Sequence, residues 1–161
     1  MAVQIYATVT GAKQGAFKGE ATQKGREKML PVVGFSYGVI VPHDIASGQA
    51  SGRRQHQPVV FSKEWGASSP QFYTAAYTNE VLTTVLFSFF SLDKTGVQQL
   101  SHTIKLTNAS IASVKQSVAL PQSGGPIIDS RELQEISLTF QKIDINIPNG
   151  SEAIDDWSAI T

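Results

Sequence analysis

The 161-residue chain contains no cysteine. That excludes a disulfide framework, a thiolate zinc site and a thiol nucleophile. It also lacks net charge: 13 Lys and Arg balance 13 Asp and Glu. A neutral chain argues against a strongly basic nucleic-acid binder and against an acidic disordered protein. Leucine is scarce, with 9 residues against 26 Val and Ile. Branched side chains are stiff at χ1 and suit a pleated surface, so the balance leans toward β-structure. Ser and Thr total 29, which again suits strands and turns better than helix interiors. No apolar run approaches the ~20 residues of a membrane-spanning helix. Met1–Tyr6 has no basic stretch followed by an apolar one, so no Sec-type signal peptide is expected. The hydrophobic content of 41% is ordinary for a globular protein. The length suits one domain that buries roughly 70% of its unfolded surface.

The neutral total conceals a polarity. Residues 1–60 carry seven Lys and Arg against three acids, whereas residues 121–161 carry two against seven. Two readings stand: an ordinary solvated surface, or a self-complementary polarity for head-to-tail stacking, since opposite charges on two faces favour that contact and penalise like-to-like ones.

Strand periodicity dominates. Val3, Ile5, Ala7 and Val9 alternate with polar residues, and Gly11–Gly25 reads as a loop. A second strand is expected over residues 30–41, with Val33, Phe35, Tyr37, Val39 and Val41 on one face and Gly34, Ser36 and Gly38 on the other. Pro42–Pro58 is a polar loop too long to be a simple connection. Val59–Trp65 reads as a third strand. Ser69-Pro70 supplies a helix start, and the helix is expected to end near Asn79. Val81–Leu92 is apolar on both faces and must be covered on both. In Leu133–Ile147 the apolar phase slips by one at Gln141-Lys142, which predicts a β-bulge in one long strand. The expected fold is mainly β: a small barrel of about seven or eight strands with one short α-helix. The barrel is expected over residues 1–148, followed by an acidic tail over 149–161.

Few residues suggest chemistry. Gly34-Phe35-Ser36-Tyr37-Gly38 matches the nucleophile-elbow spacing, but it lies inside a strand and no helix follows, so a small-residue strand face is the reading. A serine hydrolase at Ser36 is the alternative from another class. His43, His56 and His102 form no metal-ligand spacing. Trp65, Tyr73 and Tyr77 are candidates for an aromatic binding platform, although the helix is expected to bury at least two of them. The sequence calls for no catalytic residue, no cofactor, no metal, no nucleic acid and no membrane. Arg53-Arg54 in the long loop and Asp155-Asp156 near the end are the charges best placed to meet, with Trp157 as an aromatic anchor.

Several segments, in order, resemble the Hcp (hemolysin-coregulated protein) family of the type VI secretion system. They are Phe35–Gly38, Val60–Lys63 leading to Ser68–Pro70, His102–Ile111 and Glu135–Ile143. Ser51–Pro58 and Asp155–Trp157 are similar to one subgroup of that family. Gly11–Lys28 and Ser117–Arg131 depart from it. The resemblance implies a non-enzymatic tube subunit that forms homo-hexameric rings. Such rings stack into a hollow tube, contact a VgrG spike and a sheath, and carry or chaperone effectors in the lumen. It also implies a cytoplasmic protein that its own machine exports, with no fused enzymatic domain. A phage-tail-tube-like protein without a secretion role is the related alternative. Contacts between subunits or rings are expected at His43, Arg53, Arg54, His56, Asp155, Asp156 and Trp157.

Overall fold

The computed structural model describes residues 3–20, 28–118, 132–148 and 150–156. In chain order the strands are β1 Val3–Gly11, β2 Gly15–Ala16, β3 Leu30–Val32, β4 Gly34–Ser36, β5 Val39–Ile40 and β6 Gln55–His56. They continue with β7 Val59–Glu64, β8 Leu82–Leu92, β9 Gln98–Val118, β10 Glu132–Thr139, β11 Lys142–Asn146 and β12 Glu152–Asp156. One helix, α1 Ser69–Thr78, separates β7 from β8. Among the described residues the protein is mainly β with a single helix, in line with its Val- and Ile-rich composition.

The main ladder runs β2-β1-β8-β9-β10-β7-β4. β3 and β4 are separated by Val33 alone, yet β3 pairs with β1 and β4 pairs with β7. One short segment therefore bonds to both ends of the ladder, and the pairings form a circuit around the core.

The 21-residue β9 is the spine of the fold. Its first half pairs with β8 on one side and β11 on the other; its second half pairs with β10. The phase slip at Gln141-Lys142 is thus a break between two strands rather than a bulge inside one. β10 and β11 lie on different stretches of β9, and the apolar positions change parity where the chain changes sheet. Register shifts fall instead at Phe89/Phe90 in the β8–β9 ladder and at Ser137/Leu138 in the β10–β9 ladder. Asn108 on β9 has a left-handed φ of 52°, which Asn tolerates better than branched residues. The expected strand over residues 30–41 is likewise divided, into β3, β4 and β5. Beyond the expected barrel, Glu152–Asp156 adds β12 beside β11.

The inner face is an aromatic cluster. Phe61, Phe72 and Phe87 have no exposed surface. Their rings meet edge to face, with Phe61–Phe87 centroids 5.1 Å apart and Phe61–Phe72 5.9 Å. Phe17 closes on Phe72 at 4.9 Å, and Phe35 bridges Phe87 and Phe89. Truncating any fully buried Phe to Ala is worth about 3–5 kcal/mol. Helix α1 covers this cluster with Phe72 and Ala75. Ser68, rather than Ser69, is the N-cap, so Pro70 falls in the first turn, and Asn79 ends the helix with φ 56°. The helix does not bury two of Trp65, Tyr73 and Tyr77 as expected: only Tyr73 is half-buried. Tyr77 is 82% exposed and Trp65 40%, because Phe72 and Ala75 already occupy the inward side.

Candidate functional site

The long loop between β5 and β6 is the most distinctive feature outside the core. β5 and β6 pair as their own two-stranded ribbon, with Val39 opposite His56 and Ile40 opposite Gln55. The backbone N–H of Gln57 donates to the Gly38 carbonyl at 2.9 Å and extends the ribbon by one bond. At the far end the loop is held by its own turn. Asp44 accepts from the Ala46 N–H at 3.0 Å and from the Ser47 hydroxyl at 3.1 Å. Gly48 takes a φ of 72° that a side chain would strain. His43 bridges to Ala50, and its Nδ1 lies 2.7 Å from the Val41 carbonyl. Ile45 at the tip is fully exposed.

Where this ribbon meets the C-terminal strand, four side chains converge. The Arg54 guanidinium grips the Asp155 carboxylate with two nitrogens: Nε meets Oδ2, and Nη2 lies 2.6 Å from Oδ1. Nη2 also reaches the Asp156 carbonyl at 3.4 Å. His56 Nε2 lies 2.5 Å from Asp155 Oδ2, and His56 Nδ1 lies 2.7 Å from the Tyr37 hydroxyl. The Phe140 ring packs edge-on against His56 at 5.3 Å and against Tyr37 at 6.1 Å. A planar guanidinium fork and a ring nitrogen thus share one carboxylate, which is strong, directional pairing. Arg54 first, and His56 second, hold the Asp155 carboxyl down at about 2 against the opposing effect of partial burial. Burial, then the nearby Asp155 charge, pushes the Tyr37 phenol up.

Both protonation states of His56 satisfy this chain of contacts. With a neutral ring, the Tyr37 hydroxyl donates to Nδ1 and Nε2–H donates to Asp155. With a protonated ring, Nδ1–H donates to the Tyr37 oxygen instead, and the Asp155 contact persists. A Tyr–His–Asp line superficially suggests nucleophilic catalysis. A phenol pushed up rather than down is a poor nucleophile, however, and His56 is screened, with 5% of its side chain exposed. The cluster is built to hold elements together.

The expected contact residues therefore divide. Arg54, His56 and Asp155 meet within one chain, whereas the sequence reading placed Arg54 opposite acids of another copy. His43 and Arg53 are exposed on the loop. Asp156 is half-buried and lies opposite Lys142 in the β11–β12 register. Trp157 falls outside the described residues. Tyr37 was missed as a partner, since its place on an alternating strand face concealed it.

Ser36 ends β4, which is followed by Tyr37, Gly38 and the ribbon rather than by a helix, so the nucleophile-elbow geometry is not formed. His102 stacks on Phe89 at 4.2 Å and lies 3.2 Å from the Ser101 hydroxyl. Among the described residues no group of three or more His, Asp and Glu converges in a metal-binding arrangement. No helix among them is long and apolar enough to cross a membrane.

A second polar cluster was not legible in the sequence. Lys63 is wholly buried under the start of α1. Its ammonium donates to the Glu64 carbonyl at 2.8 Å and to Ser69 Oγ at 3.0 Å, and pairs with Glu20 Oε1 at 3.2 Å. Glu20 Oε1 also accepts from the Ser68 N–H and hydroxyl at 2.7 and 2.6 Å. Burial pushes the Lys63 ammonium down, and Glu20 opposes that shift. The Lys63 end is buried while Glu20 keeps a little exposure, and the arrangement pins the helix start to β7 and the Glu20 loop.

A protein-family model described as "Type VI secretion system effector, Hcp" matches residues 6–147. The chain is 33% identical to the "Major exported protein" of Pseudomonas aeruginosa, over 98% of this chain and 96% of that one. A crystal structure named "Hcp protein" superposes with a TM-score of 0.86 at 28% identity, covering 98% of this chain and 99% of the other. The secreted protein Hcp3 from Pseudomonas aeruginosa gives a TM-score of 0.79 at 27% identity, over 98% and 100%.

Proposed function

The chain belongs to the Hcp family of type VI secretion proteins, and on that premise we propose that it is the structural subunit of a secretion tube. Copies form hexameric rings, and the rings stack into a hollow conduit. The observation that carries this reading is the likeness over 98% of the chain to Hcp structures. Three features of the molecule support it. The β12 strand pairs with β11 on one edge, and among the described residues its other edge has no strand beside it. Exposed apolar side chains gather at the β8–β9 turn, where Leu92, Val97 and Leu100 are each more than 40% exposed. The ribbon projects Ile45, His43 and Arg53 outward.

In this proposal His43, Arg53 and Asp156 contact a neighbouring subunit or ring, Arg54, His56 and Asp155 set the geometry of that surface, and Trp157 anchors the chain end. Effectors ride in the lumen, and a spike and sheath complete the machine that exports the tube. Negative-stain electron microscopy of the purified protein tests the ring. Six-fold particles are expected; a monomer at high concentration overturns the proposal. For the contact itself, Arg53→Glu should weaken ring-to-ring association at low salt while leaving the intrachain Arg54–Asp155 pair intact.

A further inference from the structure

We propose that Asp155 is an intrachain clasp that locks the β5–β6 ribbon onto the C-terminal strand, so that the long loop is set in place before any copy meets another. The ribbon has no backbone ladder to the main sheet among the described residues; it is a separate two-stranded unit. Its two stems, Tyr37-Gly38 and Gln57-Pro58, leave it free to swing unless side chains fix it. Two contacts from the ribbon's returning arm, Arg54 and His56, converge on the Asp155 carboxylate, which belongs to a strand about 100 residues later in the chain. Tyr37, on the outgoing stem, holds the far side of the His56 ring, and Phe140 packs edge-on against both rings.

The interior of the loop is already ordered by the Asp44 turn, the His43–Ala50 bridge and the Ser51 N–H to Pro42 carbonyl bond of 2.9 Å. The clasp therefore positions a rigid arm rather than a floppy one. Because the arm is already ordered internally, what the clasp removes is the cost of fixing its direction at the moment of contact, which is how preorganisation raises affinity without adding contacts. The same pair occupies Arg54, so Arg53 is left as the loop's outward cation. The clasp lies inside one chain and does not depend on the tube reading.

Limited trypsinolysis reads it once the exposed neighbouring cut site is removed by Arg53→Gln in every protein compared, because Arg54 must then enter the protease pocket for the Arg54–Gln55 bond to be cut. Full-length protein is separated by size into ring and subunit fractions. Nicking after Arg54 is then measured by mass spectrometry relative to nicking after Lys94 in the β8–β9 turn. With Asp155 intact the Arg54–Gln55 bond should be protected in both fractions. In Asp155→Ala it should be cut about tenfold faster relative to Lys94 in the subunit fraction, since cleavage tracks the open population. Asp155→Asn keeps the shape without the charge and should fall between the two. Arg54 protection found only in assembled rings, or nicking unchanged by both variants, overturns the clasp. Should Asp155→Ala fail to fold, the comparison of the two fractions with Asp155 intact still decides the question.

Discussion

Remove the Glu20 carboxylate and Lys63 becomes a buried cation without a counter-charge. Stripping one partner from a buried pair costs about 3–5 kcal/mol. The Glu20 side chain keeps 13% exposure, so about 3 kcal/mol is the appropriate end of that range. Its bonds from the Ser68 N–H and hydroxyl go too, and losing acceptance at a helix start costs about 1 kcal/mol. Glu20→Ala should therefore lose about 4 kcal/mol, or about 8–16 °C in a domain of this size. Lys63→Met should be milder, about 1–2 kcal/mol, because the stem volume is kept and Glu20 still accepts from Ser68. The double variant should lose about 2–3 kcal/mol rather than the sum of about 5–6, since neither charge is then stranded. Urea unfolding at one fixed protein concentration, followed by Trp fluorescence, measures the cycle. Single-variant losses that add to within about 0.5 kcal/mol would refute the buried pair as the reason for the cost.

The Asp155 carboxyl sits below its unfolded value, so its contribution is present above about pH 4 and disappears as pH falls through about 2. Stability measured from pH 5 to pH 2 should fall less steeply in Asp155→Asn than in wild type. At Gly11 an added Cβ would strike the Glu80 carboxylate, which is nearly buried and accepts the Lys13 and Gln14 N–H groups. Gly11→Ala should cost about 2–3 kcal/mol in a thermal melt, the worth of hydrogen bonds to a buried charge; a melt within 2 °C of wild type would show that Glu80 moves aside freely. The Glu152 carboxyl is raised by its contact with Asp144 and by that group's charge. Its contribution is lost as pH rises through the raised value, so Glu152→Gln should raise the melting temperature at pH 7 and have little effect at pH 4.

Alternation located β1, whose Ala7 and Val9 face the core, and β8 stood out because it is apolar on both faces and is covered on both by neighbouring elements. It failed where the periodicity carries two meanings. At Gln141-Lys142 a bulge and a change of sheet produce the same slip in apolar parity, and only the pairing of β10 and β11 with different stretches of β9 separates them. It failed again at α1. The spacing of Tyr73 and Tyr77 matches that of Phe72 and Ala76, and hydropathy gives no reason to prefer one face; burial of Phe72 decides it. The Arg54–Asp155 encounter was visible as charge polarity, but polarity does not say whether charges meet within a chain or between chains. Lys63 was invisible for a simpler reason: it occupies an inward position of β7 and looks, on paper, like a misplaced surface residue.

The length of β9 has a mechanical meaning. Its 21 residues would reach roughly 65–70 Å if straight, and three other strands hang from it along that length. A load applied along such a strand places its ladders in shear, so many hydrogen bonds must fail together rather than one after another. Neither stretch of sheet can peel away while the other keeps hold of the shared strand. The two stretches of sheet are thus bound through one shared strand, so loss of β9 undoes three ladders at once and the described fold should unfold as one cooperative unit.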